Sequence, residues 1–191
     1  EEDDETPVAL KAIKNLPSYF QIVTVPNSLP QTKAKACNYA MQFATGDVTT
    51  IFDAEDRPDS DQLRKVAQRF AQVEENVVCI QAKLCYYNAG ENWLTGMFTI
   101  EYANLFNYVL PAMSKFDFPI PLGGSSNHFK TKILREMHGW DPYNVTEDAD
   151  LGLRLSARGY KTQTIHSFTP EEAPITVGAW IKQRSRWVKG Y

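Results

Sequence analysis

Val48-Thr49-Thr50-Ile51-Phe52-Asp53-Ala54-Glu55-Asp56 decides the fold class of this chain. Its first five residues are β-branched or aromatic and read as a strand. The strand then breaks into a turn carrying Asp53, Glu55 and Asp56. Upstream, Lys33 to Phe43 places Ala34, Ala36, Tyr39, Ala40 and Phe43 at roughly helical spacing. Downstream, Pro58-Asp59-Ser60 opens a helix with Leu63, Val66, Phe70 and Val73 on one face, and Val77 to Tyr87 is the next strand. Strands alternating with helices predict an α/β sheet with some parallel order. In such sheets ligands bind at the carboxyl ends of strands, where residues 53–56 fall. Oxygen-only ligands at this spacing suit a hard divalent cation, Mg²⁺ or Mn²⁺, that bridges to phosphates. A solvated acidic turn fits the same residues.

The remaining elements follow from the same signals. Pro7 starts a helix running to about Asn15, and Phe20 to Val25 is a strand stopped by Pro26. Glu91 to Leu110 is a long, largely apolar helix, and Phe116 to Leu122 is irregular. Gly123-Gly124-Ser125-Ser126 leads into a short strand at Asn127-His128-Phe129, and Thr131 to Met137 is a short helix. Glu147 to Ala157 is a helix stopped by Gly159, Lys161 to Ile165 a strand, and Val177 to Lys189 the last helix.

Composition narrows the function classes. The chain has 191 residues, 43% hydrophobic and 23% charged, which suits a single globular domain over 1–191. A net charge of −3 gives no footprint for nucleic acid. Cys37, Cys79 and Cys85 form no C-x-x-C pair and suit free thiols in a reducing compartment. Leu94 to Met113 is the longest apolar stretch, but Glu101, Asn104 and Asn107 interrupt it, so no bilayer span is expected. The chain opens on an acidic run without an initiator Met, so a piece of a longer protein is expected.

Two further motifs carry chemistry. Asn144-Val145-Thr146-Glu147-Asp148-Ala149-Asp150 sets Thr146 as an N-cap, with Glu147 and Asp148 in the first turn. The helix dipole there favours negative charge, and an ionised carboxylate within reach of a substrate hydroxyl is a general base. Acids are also common at helix starts without any such role. Gln183, Arg186 and Trp187 stand at i, i+3 and i+4 on one helix face. Arginine suits a diphosphate and tryptophan can stack on a sugar ring; an amphipathic helix with one packed Trp is the plainer account.

In order, Asp53-Ala54-Glu55-Asp56, Thr146-Glu147-Asp148 and Gln183-Arg184-Ser185-Arg186-Trp187 resemble the D-x-D, T-E-D and Q-x-x-R-W motifs of processive family 2 glycosyltransferases, the cellulose, hyaluronan and chitin synthases. Lys33-Ala34-Lys35-Ala36-Cys37-Asn38 resembles their A-K-A-G-N segment, with Cys37 for Gly, and Gln81 resembles the glutamine of their V-Q-T strand. The resemblance implies a GT-A fold, nucleotide-sugar-binding and Rossmann-like, with a mixed central sheet. It implies inverting transfer from a nucleotide-sugar donor, a UDP-sugar most often, to a glycan or other hydroxyl acceptor. By position Asp148 matches the general base and Glu147 its orienting neighbour. Asp53 matches the acid facing the nucleotide and Glu55 the metal-binding acid. Asp56 is a possible further ligand for Mg²⁺ or Mn²⁺. Lys35 falls in the donor-binding segment, Asp3 or Asp4 matches the acid that reads uracil, and Gln183, Arg186 and Trp187 match the acceptor and diphosphate motif.

This chain departs from the family at further places: Glu55 stands where the second Asp is usual, Asp56 where cellulose synthases often have His, and the fold's first strand is missing ahead of Asp3 and Asp4. The resemblance further implies membrane attachment through segments outside the chain, at the cytoplasmic face of the inner membrane. A non-catalytic module that binds a nucleotide or glycan is the alternative. Such a module has no need of a base at Asp148.

Overall fold

The computed structural model describes residues 5–13 and 15–190; Asp3 and Asp4 lie outside them. The sheet has four strands, β1 (Val48–Ile51), β2 (Val77–Tyr86), β3 (Asn127–Lys130) and β4 (Lys161–Glu171), in the order β1-β3-β2-β4. β3 runs antiparallel to both β1 and β2, pairing Ile51 with Asn127 and Gln81 with Asn127. β2 and β4 run parallel, from Val77 opposite Lys161 to Tyr86 opposite Glu171. The sheet is therefore mixed, and the parallel order expected from the alternation is confined to one pair.

This topology brings four chain segments to one end. β1, β2 and β4 all finish there, and β3 starts there because it runs the other way. The residues at that end are 53–56, Gly123–Ser126 and Glu171.

Eight α-helices surround the sheet among the described residues: α1 (Glu5–Ala12), α2 (Lys33–Ala40), α3 (Gln62–Phe70), α4 (Trp93–Asn104), α5 (Leu110–Lys115), α6 (Thr131–Glu136), α7 (Glu147–Ala157) and α8 (Val177–Gly190). β2 is buried along its first six residues, as befits a strand covered on both faces. Leu151 and Leu155 of α7 and Phe98, Phe106 and Leu110 of the α4–α5 region are buried in one core with Leu84, Phe129 and Trp140. Burying a side chain of that size stabilises by about 1.5–3 kcal/mol. Gly152 lets α7 press on the irregular segment ahead of β3, because a Cβ there would collide with the Ile120 carbonyl oxygen. No described helix is long and apolar enough to cross a membrane.

Several elements differ from the sequence reading. Phe20–Val25 is not a strand: no described segment pairs with it, and Phe20 and Ile22 are more than half exposed. Its β-forming composition finds no edge to join, and a strand is stabilised mainly by its neighbours. α3 begins at Gln62 rather than Pro58, because residues 57–59 bond to β4 instead, Arg57 N–H to Pro170 O and Asp59 N–H to Phe168 O. Leu63 is consequently exposed, while Gln62 is fully buried and donates to Thr169 Oγ1 at 3.0 Å. The long apolar helix does not stop near Pro111. A π-helical turn at Leu105–Val109 shifts the register, and Pro111 enters the first turn of α5, where its missing N–H does no harm. β4 runs six residues past Ile165, to Glu171. It is an edge strand, where Pro170 is tolerated.

Candidate active site

Asp53 follows β1 directly. Its backbone N–H donates to Asp56 Oδ2 at 2.8 Å, and the same oxygen accepts from Ser125 Oγ. Asp56 thus braces the turn against the loop before β3, and its Oδ1 is buried without a partner. That loop is held from below by Gln81, which is fully buried. Gln81 Nε2 donates to Ala82 O and Ser125 O at 2.8 and 3.0 Å, and its Oε1 accepts from Gly123 N–H at 2.9 Å. Gly123 packs tightly here: a Cβ would stand 3.1 Å from Leu84 Cδ1 and 3.2 Å from Phe106 Cζ, so those side chains would have to shift by a few tenths of an ångström.

α2 delivers the cation. Thr32 caps the helix by accepting from Lys35 N–H, and its hydroxyl donates to Pro142 O at 3.1 Å, which ties α2 to the loop ahead of α7. Lys33 then reaches Asp53 Oδ1 at 2.5 Å and donates to Gly124 O at 2.7 Å. Burial pulls its pKa down, but the bond to Asp53 and the charges of Asp53 and Asp148 outweigh this, and the net shift is upward. Lys35, the lysine singled out by the sequence, turns away to the Ser28 carbonyl and hydroxyl. Residues 33 and 35 point to nearly opposite sides of a helix, and the cap decides which side faces the site.

α7 supplies Glu147 and Asp148 in its first turn, as expected. Thr146 does not cap with its side chain; it donates instead from both N–H and hydroxyl to Asn144 Oδ1, at 2.9 and 3.2 Å. Asp148 is buried, with 9% of its surface exposed. Burial and the charge of Glu147 push its carboxyl up to about 7, against the downward pull of Lys33 and of the Trp140 indole. The helix start does not keep this carboxylate fully ionised, because burial outweighs the dipole. Its Oδ1 accepts from Trp140 Nε1 at 3.0 Å, and a Cβ on Gly124 would lie 3.7 Å from Oδ2. Asp150 faces elsewhere and pairs with Arg154 at 2.6 Å.

The last helix meets this centre at its far end. Gly190 lies so close to Thr146 that a Cβ would collide with the threonine side chain. Trp187 is half-buried against the core, and Gln183 Oε1 is buried without a partner. Arg184 is the guanidinium turned inward: it bonds Glu101 at 2.8 and 2.5 Å and lies 4.5 Å from the centroid of the Trp187 ring. Arg186 is exposed.

The structure therefore gathers Asp53, Asp56, Glu147 and Asp148, leaves Glu55 exposed beside them, and adds residues the sequence reading missed. In the sequence, Lys33 stands only as a member of the Lys33–Asn38 segment, and Trp140 in none of the motifs. Asn38, the last residue of that segment, is committed to the Trp140 backbone. Glu171 closes the acidic end: burial, followed by the charge of Asp56, pushes its carboxyl up to about 7. His128 is buried, donates from Nδ1 to Ile80 O, and is held neutral by burial with its pKa lowered to about 4. It takes no part in the cluster.

No group of three or more His, Cys, Asp or Glu among the described residues is arranged to hold a metal by itself. The donors are nonetheless all oxygens, and Asp56 keeps an unpaired buried oxygen in the field of Glu171, whose own carboxyl burial holds up. That set fits a hard cation whose shell is completed by phosphate oxygens, the usual arrangement for Mg²⁺.

The family profile described as "Glycosyl transferase family group 2" matches residues 48–191. The probable glycosyltransferase YdaM of Bacillus subtilis is 25% identical over 171 residues, covering 88% of this chain and 40% of that protein. Glucomannan 4-beta-mannosyltransferase 2 of Arabidopsis thaliana is 27% identical, covering 90% of this chain and 30% of that protein. Beta-monoglucosyldiacylglycerol synthase of Trichormus variabilis is 26% identical, covering 98% and 40% respectively. The chain thus spans well under half the length of these relatives. Among solved structures, the mannosyltransferase PcManGT of Pyrobaculum calidifontis, in complex with GDP-Man and Mn²⁺, superposes with a TM-score of 0.72 at 22% identity, covering 98% of this chain and 49% of that one. Its mixed α/β architecture is of the GT-A type. By its family profile, which spans most of its length, this chain belongs to glycosyl transferase family group 2.

Proposed function

We propose that residues 1–191 are the catalytic domain of an inverting glycosyltransferase, which moves a sugar from a nucleotide-sugar, a UDP-sugar, to a hydroxyl of a glycan or glycolipid acceptor. One observation carries this reading. Asp148 is a buried carboxyl poised near neutrality, with one oxygen held by Trp140 and the other toward Gly124, in the field of Lys33 and Asp53. A general base works best with a pKa near the operating pH.

In this mechanism the acceptor oxygen forms a bond to the anomeric carbon as its proton passes to Asp148. The bond from that carbon to the diphosphate oxygen breaks on the opposite face, and the electron pair leaves with the nucleoside diphosphate. Lys33 offsets the growing negative charge, and Glu147 keeps the acceptor hydroxyl oriented. Asp53 and Glu55, with the free oxygen of Asp56, would hold Mg²⁺ or Mn²⁺, which when bound supplies charge stabilisation for the departing diphosphate. Gln183, Arg186 and Trp187 serve the diphosphate and acceptor end, Lys35 the rim of the donor site, and Asp3 or Asp4 the uracil.

The complex of PcManGT with GDP-Man and Mn²⁺ supports the donor class and the cation. The names of the relatives supply both a glycan and a glycolipid as acceptor classes. Transfer at the cytoplasmic face of the inner membrane, with attachment through segments outside this chain, is part of the same proposal.

The test uses the full-length protein with a panel of UDP-sugars and GDP-mannose, with and without Mn²⁺, and determines the anomeric configuration of the product. Inversion by the wild type and loss of transfer in Asp148→Asn are expected. Product of retained configuration, or undiminished transfer by the variant, refutes the mechanism.

A further inference from the structure

The indole N–H of Trp140 lies 3.0 Å from Asp148 Oδ1, and the Trp140 side chain is buried. An indole nitrogen only donates. When Asp148 is protonated, the carbonyl oxygen is the better acceptor for the indole N–H, so the bond to Oδ1 favours the proton on Oδ2, the oxygen near Gly124.

The indole is held from several sides. Its ring stands edge-on to Phe129, with centroids 5.8 Å apart at 86°. Its backbone is clamped by one side chain of α2: Trp140 N–H donates to Asn38 Oδ1 at 3.0 Å, and Asn38 Nδ2 donates to Trp140 O at 2.7 Å. Gly139 takes a φ of +66°, and a Cβ there would collide with the Asn38 amide, so this clamp needs glycine at 139. From the other side Arg154 of α7 donates to Met137 O at 3.0 Å and to Gly139 O at 2.8 Å. The loop that carries Trp140 is thus fastened both to the helix carrying Lys33 and to the helix carrying Asp148.

We infer that Trp140 is a positioning residue, which fixes Asp148 through Oδ1 so that Oδ2 is the oxygen that takes the proton of the acceptor hydroxyl. The inference rests on the reading of Asp148 as the base. Several groups set the charge balance at this carboxyl. Glu147 comes from its own helix, Lys33 from α2 and Asp53 from the turn after β1; Cys37 of α2 and Cys79 of β2 lie in its field as thiols that burial keeps neutral. Lys33 and Trp140 favour the charged form, and of the two only Trp140 is neutral. Lys33 is shared with Asp53, so ligand binding redistributes its charge, whereas the indole dipole stays constant.

The experiment follows two nuclei in the ligand-free, metal-free protein. In the wild type, the Trp140 indole ¹H–¹⁵N resonance should titrate with the same midpoint as the Asp148 side-chain carboxyl ¹³C resonance. In Trp140→Phe, which keeps a ring on Phe129 and removes the donor, the Asp148 midpoint should rise by about one pH unit. The acid limb of kcat/KM should move upward by the same amount. A purely structural role would lower activity at every pH and leave the limb in place, which would overturn the inference. An indole resonance that stays still while Asp148 titrates would overturn it too, and that measurement needs no variant to fold. Absence of transfer by the wild type at every pH would instead overturn the reading of Asp148 as base, and leave the coupled titration standing.

Discussion

Asp148→Asn should make the protein more stable as it makes it inactive. In the folded protein the Asp148 carboxyl is raised from 3.8 to about 7, chiefly by burial. A rise of that size is a penalty of about 4 kcal/mol on the charged form; relaxation of the surroundings and water entry bring the measurable effect to about 2 kcal/mol. Asparagine keeps the shape and keeps an oxygen for the Trp140 N–H. The sign follows from proton binding. Between pH 3.8 and about 7 the folded state holds more protons on this group than the unfolded state. Wild-type stability therefore falls as pH rises through that window, and the variant lacks this slope. Glu171, raised to about 7, has the same sign, and His128, lowered to about 4, has the opposite one. Both remain in the variant and cancel in the comparison. Thermal unfolding of both proteins at about pH 5 and about pH 8 should show a gap that widens with pH, with the variant melting about 4–8 °C higher at the upper value. A variant no more stable than wild type at the upper pH, or a gap independent of pH, would refute the argument.

Three other changes test separate parts of the structure. Gly152→Ala drives a methyl into the Ile120 carbonyl and should cost about 2–3 kcal/mol in urea unfolding; an unchanged midpoint would mean that residues 120–122 yield. Lys33→Gln removes the cation at Asp53, so donor affinity by calorimetry should fall about tenfold or more. Because Lys33 also draws the Asp148 pKa down, the acid limb of the rate profile should move to higher pH. Gln81→Leu strands the Gly123 N–H in the core and should cost about 2–3 kcal/mol by the same unfolding assay. It should also weaken donor binding beyond the loss of folded protein, because the Gly123–Ser126 loop loses its support.

The parts legible in the sequence were those set by local chemistry. β-branched residues followed by an acidic turn gave β1 and its carboxyl end, and Thr146-Glu147-Asp148 gave the start of α7. What stayed hidden depends on the rotation of elements and on distant partners. Lys33 and Lys35 have the same chemistry, and only the seating of α2, fixed by Thr32 on Pro142, selects Lys33. Trp140 has no local signal; its role arises from Asn38, 102 positions away in the chain. Glu171 was missed because the polar run after Ile165 and Pro170 argued for an end to β4, whereas its hydrogen-bonded partners lie on β2 and in residues 57–59. Phe20–Val25 erred the other way, a good strand composition without an edge to pair with.

The bare backbone of Gly190 against Thr146 has a mechanical consequence. With no side chain of its own there, the end of the helix that carries Gln183, Arg186 and Trp187 rests against the Thr146 side chain, just ahead of α7, as a rod rests on a pivot. One methyl at position 190 would act as a shim, setting α8 off from α7 by roughly the thickness of a carbon atom. The distance between the face that carries Gln183, Arg186 and Trp187 and the Asp148 carboxyl is thus open to adjustment at a single position.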